Sequence, residues 1–146
     1  MEKRSTYLLP AVAIAILMAI GCAPNKESAP VPTPIGTFSG QFRKLHRAKG
    51  ATKIDTSKAN IQLVLEDGGT YKVLGDTATL HAGSKGGYNI GGSVIAFQDA
   101  TFTTATDPKI HLYGYYSFYY DGSSVFQMVL NSADTLSLQY DLKKVN

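Results

Sequence analysis

From Ile35 onward, apolar side chains recur at every second position in short runs parted by turn residues. Beyond the first 22 residues no stretch keeps a helical period over three turns. Alternation with period two puts every other side chain on one face of an extended strand, so the chain must form sheet and bury one face of it. Ile61, Leu63 and Leu65 alternate with polar residues up to the turn Asp67-Gly68-Gly69, and Tyr71 and Val73 continue the pattern after it, which predicts a hairpin. Phe38 and Phe42 mark an earlier strand. Tyr88 and Ile90, then Ile95 and Phe97, flank Gly91-Gly92 as two short strands. In "TATLHA", Ala78 and Leu80 alternate with Thr77, Thr79 and His81, which predicts a strand with His81 on its outer face. "SVFQMVL" and "TLSLQYDL" close the series, the latter with Leu136, Leu138, Tyr140 and Leu142 on one side. About eight or nine strands in roughly 110 residues describe an all-β antiparallel up-and-down meander. It closes into a barrel or, as the alternative, stacks as a β-sandwich.

The segment 111–122, "HLYGYYSFYYDG", packs five tyrosines into a chain that has no tryptophan. Its even stripe, Ile110, Leu112, Gly114, Tyr116, Phe118 and Tyr120, is more apolar than its odd stripe, His111, Tyr113, Tyr115, Ser117 and Tyr119. A three-residue loop Tyr120-Asp121-Gly122 with a left-handed glycine pairs even positions with even, setting Tyr116 by Phe126, Gly114 by Met128 and Leu112 by Leu130. Tyr116 and Phe118 are then expected inside. Tyr113, Tyr115 and Tyr119 are expected outside, and a slip of one residue would invert the whole assignment. With His111, the outer tyrosines form a candidate interaction surface.

The front of the chain has a different character. Lys3 and Arg4 precede thirteen residues, Leu8–Ile20, that are apolar apart from Pro10, and Gly21-Cys22 follows. Such a run is short for a bilayer span and has the order of a secretory signal. The ending "LMAIGC" resembles the lipobox of bacterial lipoproteins, with Ala19 where leucine is usual. Cys22 is the only cysteine, so it forms no internal disulfide and is the expected lipidation site. Residues 23–34, "APNKESAPVPTP", hold four prolines and read as an extended tether. The expected organisation is a signal peptide over 1–21, the lipidated cysteine and tether over 22–34, and a barrel domain over 35–146.

Little in the sequence points to catalysis. His46, His81 and His111 lie on separate elements without a nucleophile in a recognisable motif, and no clustered His, Asp or Glu has metal-ligand spacing. "GGYNIGGS" lacks the Lys-Ser/Thr ending of a phosphate loop. Asp67, Asp76, Asp99, Asp107 and Asp121 all sit near turns, where aspartate caps its own backbone. No enzyme activity, cofactor or metal is expected. A net charge of +3 does not call for nucleic acid. One basic stretch, Arg43, Lys44, Arg47, Lys49 and Lys53, reads as a long connection between the first two strands and is a second candidate contact surface.

The domain resembles bacterial lipocalin-like lipoproteins through "GTFSGQF", "GGYNIGGSVIAFQD" and "SLQYDLKK". Gly36-Thr37-Phe38 stands where lipocalins carry Gly-x-Trp, and Lys143 or Lys144 stands near the place of their basic capping residue. The resemblance implies a closed barrel of about eight strands with an apolar interior, and no catalytic residues. Gly40, Ala78 and Gly114 are the places where that interior would have room. A small neutral apolar ligand is then expected among Tyr71, Tyr88, Tyr116, Phe118, Phe126, Met128 and Tyr140, since no charged residue is predicted to face inward. The alternative is a filled barrel that works through its surface. The lipid anchor implies an extracytoplasmic position on a bacterial membrane, the outer in preference to the inner.

Overall fold

The computed structural model describes residues 31–103, 108–132 and 135–145. The signal segment, Cys22, the tether as far as Pro30, and Asp107 lie outside the described residues. Eight strands follow one another: β1 (Gly36–His46), β2 (Asp55–Leu65), β3 (Thr70–Gly75), β4 (Lys85–Gly91), β5 (Val94–Asp99), β6 (Gly114–Tyr120), β7 (Val125–Ser132) and β8 (Leu136–Val145). Each pairs antiparallel with the next, and β1 pairs with β8 from Thr37↔Val145 to His46↔Leu136, closing an up-and-down barrel. The sandwich alternative is therefore not adopted. Closure gives the edge hydrogen bonds of β1 and β8 to each other and leaves neither edge open for another chain.

The alternating apolar residues line the inside, as the pleat requires. Phe38 and Phe42, Ile61, Leu63 and Leu65, Tyr71, Val73, Ile95, Phe97, Leu112, Tyr116, Phe118, Phe126, Met128, Leu138 and Tyr140 are all buried, and Ala59, Tyr120 and Leu142 join them. Gly40 leaves no void, because a Cβ there would lie 2.2 Å from the Asp141 carbonyl oxygen, so the β8 backbone occupies that space. Lys144 stands opposite Phe38 in the β1–β8 register.

Four expectations are corrected. Residues 77–80 form turns, not a strand, and His81 is wholly buried, its backbone joined to Ile110 by an isolated bridge. The alternation in "TATLHA" is real, but the segment folds over the barrel end and turns His81 inward. The Tyr-rich strand begins at Gly114, whose backbone is left-handed (φ +99°) and breaks the extended run from Ile110. The β6–β7 hairpin keeps even facing even, yet Phe118 opposes Met128 and Tyr120 opposes Phe126 around a four-residue loop, 121–124. The longer loop wins because one Asp121 carboxylate oxygen accepts from the amides of Ser123, Ser124 and Val125 at 2.7–2.9 Å. Those amide hydrogen bonds hold the Asp121 carboxyl down at about 2. Finally, Arg43 and Lys44 belong to β1 and not to the connection that follows it.

Candidate functional site

Two regions were candidates, the interior and the outer tyrosine face, and the side chains distinguish them. Of the seven expected ligand-contacting residues, six are buried, and Tyr88 is half-buried with its hydroxyl on the Glu66 carbonyl at 3.1 Å. They are brought together mainly by touching one another. Tyr71 meets Phe97 at 4.9 Å between ring centroids, Phe97 meets Tyr116 at 5.8 Å, Tyr116 meets Tyr140 at 5.7 Å and Tyr140 meets Phe42 at 4.8 Å. A second group joins Phe118 to Phe126 at 6.0 Å and Phe126 to Phe38 at 5.1 Å. These tilted and edge-to-face contacts are those of a packed aromatic core. An eight-stranded barrel is narrow enough for its own side chains to fill.

His81 packs against the Phe42–Tyr140 end of this group. Its ring lies edge-on to Phe42 at 4.8 Å, its Nε2 is 2.9 Å from the Tyr140 hydroxyl, and its Nδ1 is 2.7 Å from the Ala82 carbonyl. A carbonyl only accepts, so Nδ1 carries the proton and Nε2 accepts from Tyr140. Burial pushes the imidazole down to about 4, against the pull of the Ala82 carbonyl, so His81 is neutral near pH 7. The segment holding it is pinned by Ile110, which donates to Leu80 and accepts from Ala82 at 2.9 Å. Ser84 Oγ accepts from the Leu112 amide at 3.0 Å, and the Leu112 carbonyl accepts from Tyr71 at 2.6 Å.

Asp99 is a charged group in the interior that the sequence did not reveal. Burial alone would raise its pKa, but hydrogen bonds from Thr101, Ser84 and His111 outweigh it and hold the carboxyl below its ordinary value. His111 was expected on the outer surface. Instead its side chain is 9% exposed, with Nδ1 2.7 Å from Asp99 and the Phe102 ring 4.8 Å away. The reason is the break at Gly114: residues before it cross the barrel end as a connection, so the odd stripe of β6 does not extend to His111.

The outside of the barrel divides by charge. Outward positions on β5, β6 and β7 are Val94, Ala96 and Gln98; Tyr115, Ser117 and Tyr119; and Val125, Gln127, Val129 and Asn131, with no charged residue among them. Tyr113, Tyr115 and Tyr119 are exposed as expected, Tyr115 by 77%. Phe102, also exposed, lies 6.2 Å from Tyr113 between ring centroids and extends the aromatic surface. Charged side chains sit on the flanking strands, at Lys58, Lys72 and Lys85 on one side and at Asp141 and Lys143 on the other. Arg43 forms an ion pair with Asp141, which also accepts from Gln127 at 2.9 Å.

Two grooves border the tyrosines. One, of about 530 Å³, runs over β4, β5 and the start of β6 and is lined by Gly87, Asn89, Ala96, Gln98, Tyr113 and Tyr115 among others. The other, of about 360 Å³, is lined by Ser117, Tyr119, Gln127, Val129, Gln139 and Asp141 among others. Both open outward. The polar side chains of the first lie on strands the sequence identified. Their meeting with Tyr115 depends on strand adjacency, which alternation does not encode.

The basic connection is placed differently from the tyrosines. Arg47, Lys49 and Lys53 are exposed between β1 and β2, at the barrel end opposite the one where Gly36 enters, and Lys53 lies 3.8 Å from Asp55. Residues 133–134 of the neighbouring β7–β8 connection lie outside the described residues. Among the described residues no group of three or more His, Cys, Asp or Glu is arranged to hold a metal ion. No protein-family model, curated protein or solved structure matches this chain.

Proposed function

We propose that the protein is a lipid-anchored binding module of the bacterial cell envelope, in which the barrel is a packed scaffold and contacts are made on the uncharged tyrosine face of β5, β6 and β7. The observation that carries this reading is the face itself: three strands with no outward charge, exposed Tyr115 and Tyr119 on the central strand and exposed Tyr113 just before it. Tyrosine supplies rigid contact area at small entropic cost, and depletion of charge is the compositional mark of interface centres. Against an apolar ligand inside the barrel stands the chain of rings from Tyr71 to Phe42, with His81 packed edge-on at its end. The resemblance to lipocalin-like lipoproteins supports the architecture, and "LMAIGC" supports attachment through Cys22. The barrel domain acts without a cofactor or chemical step, and its anchor places it outside the cytoplasm, on the outer membrane in preference to the inner.

Native mass spectrometry of the chain extracted from its own membrane in mild detergent tests this reading. The expected species starts at Cys22, carries acyl chains there, and holds no further small molecule. A stoichiometric apolar molecule released only on unfolding overturns the filled-scaffold reading, and a Cys22→Ser chain that stays membrane-bound overturns the anchor.

A further inference from the structure

Resting on that reading, we infer that the groove over β4, β5 and β6 is a subsite for a neutral saccharide. Gly87 and Ala96 contribute little or no side chain to its lining. Register places Asn89, Ala96 and Tyr115 side by side across three strands, so the Cα atoms of Asn89 and Tyr115 stand about 10 Å apart with Ala96 between them. Gln98 lies opposite Gly87 in the next outward row, and Tyr113 precedes Tyr115 by two residues on the same wall. The volume, about 530 Å³, falls within the range of small-molecule sites.

The lining chemistry selects the ligand class. No Lys, Arg, Asp or Glu lines the groove, so an ionic ligand would lose hydration without gaining an ion pair. An apolar ligand would cover the carboxamides of Asn89 and Gln98 and leave their donors and acceptors unsatisfied. A sugar ring meets both requirements. Its hydroxyls donate and accept, as carboxamides and phenols do. Its C–H face is weakly positive and complements the negative face of an aromatic ring. The glycine at 87 keeps space for such a ring: its φ is not in the left-handed region, and a Cβ there would meet only the Gly69 carbonyl oxygen, at 3.7 Å.

The same glycine supplies the test, because a larger residue at 87 fills the groove from a position the backbone tolerates. The full ¹⁵N-labelled chain in detergent micelles is titrated with maltoheptaose, cellohexaose and the hexamer of N-acetylglucosamine. At least one is expected to shift the amides of 87–89, 96–98 and 113–115 with a dissociation constant on the order of 1 mM or tighter. Gly87→Leu and Tyr115→Ala are each expected to weaken it by about tenfold or more, the second from an exposed position that leaves the core intact. Absence of shifts with all three sugars, shifts confined to other surfaces, or unchanged affinity in both variants overturns the saccharide site. If the sugars fail but Tyr115→Ala still lowers retention of the protein on lipid-stripped envelope, the partner is a protein or another polymer and the outer-face reading stands. If retention is also unchanged, both fall.

Discussion

His81 Nε2 lies 2.9 Å from the Tyr140 hydroxyl inside the barrel, and each group fixes the other's proton. The pKa of this imidazole is depressed by burial, from an ordinary 6.5 to about 4. Between those values the unfolded chain binds a proton that the native barrel refuses, so stability falls as pH drops through this window and levels off below it. The expected loss attributable to His81 is about 3 kcal/mol. Asp99, also depressed, adds its loss only below the ordinary carboxylate range, in a separate window. Urea unfolding from pH 7 to 4 measures the slope, and His81→Gln is expected to flatten it. A slope that persists in the variant places the titration elsewhere.

Tyr116 and Tyr140 are adjacent buried phenols with opposite expected responses to loss of the hydroxyl. Tyr140 donates to His81, whereas the buried Tyr116 hydroxyl has no hydrogen bond of normal geometry among the described residues. Burial pushes the Tyr116 phenol up to about 12. Tyr140→Phe strands a buried acceptor and is expected to cost about 1–3 kcal/mol, while Tyr116→Phe is expected to be neutral or stabilising. Denaturant midpoints of the two variants decide it, and equal losses contradict the assignment.

Gly86 and Gly87 are neighbours on β4 with different surroundings. A Cβ on Gly86 would lie 2.0 Å from the Gln98 carbonyl oxygen, backbone that cannot move without parting β4 from β5. Gly86→Ala is therefore expected to destabilise by at least about 2 kcal/mol. Gly87→Ala meets only ordinary contact and is expected to stay within about 1 kcal/mol of the natural chain, aided by the lower entropy of its unfolded state. Thermal unfolding of the two proteins checks the contrast.

Alternation made much of this barrel legible, because most strands bury one face and the sequence records which. Tyr116 and Phe118 inside, with Tyr115 and Tyr119 outside, were readable for that reason. The β6–β7 register was not. Sliding the hairpin by two residues per strand preserves parity and still sets apolar against apolar, so only the Asp121 turn chemistry distinguishes Tyr120↔Phe126 from Tyr116↔Phe126. His81 was illegible for a different reason. Its burial is set by Phe42 and Tyr140, 39 and 59 positions away along the chain, while its local pattern imitates a strand. The groove needed three strands aligned side by side, since Asn89, Ala96 and Tyr115 have no local signal linking them.

Retention of the protein on lipid-stripped envelope from the producing cells tests most directly whether the barrel works from its outside. Tyr115→Ser with Tyr119→Ser alters only exposed side chains, so unfolding midpoint and strand content are expected to match the natural chain. The account predicts that the natural chain is retained and the double variant is lost to the supernatant. Equal retention of the two, with folding intact, contradicts it.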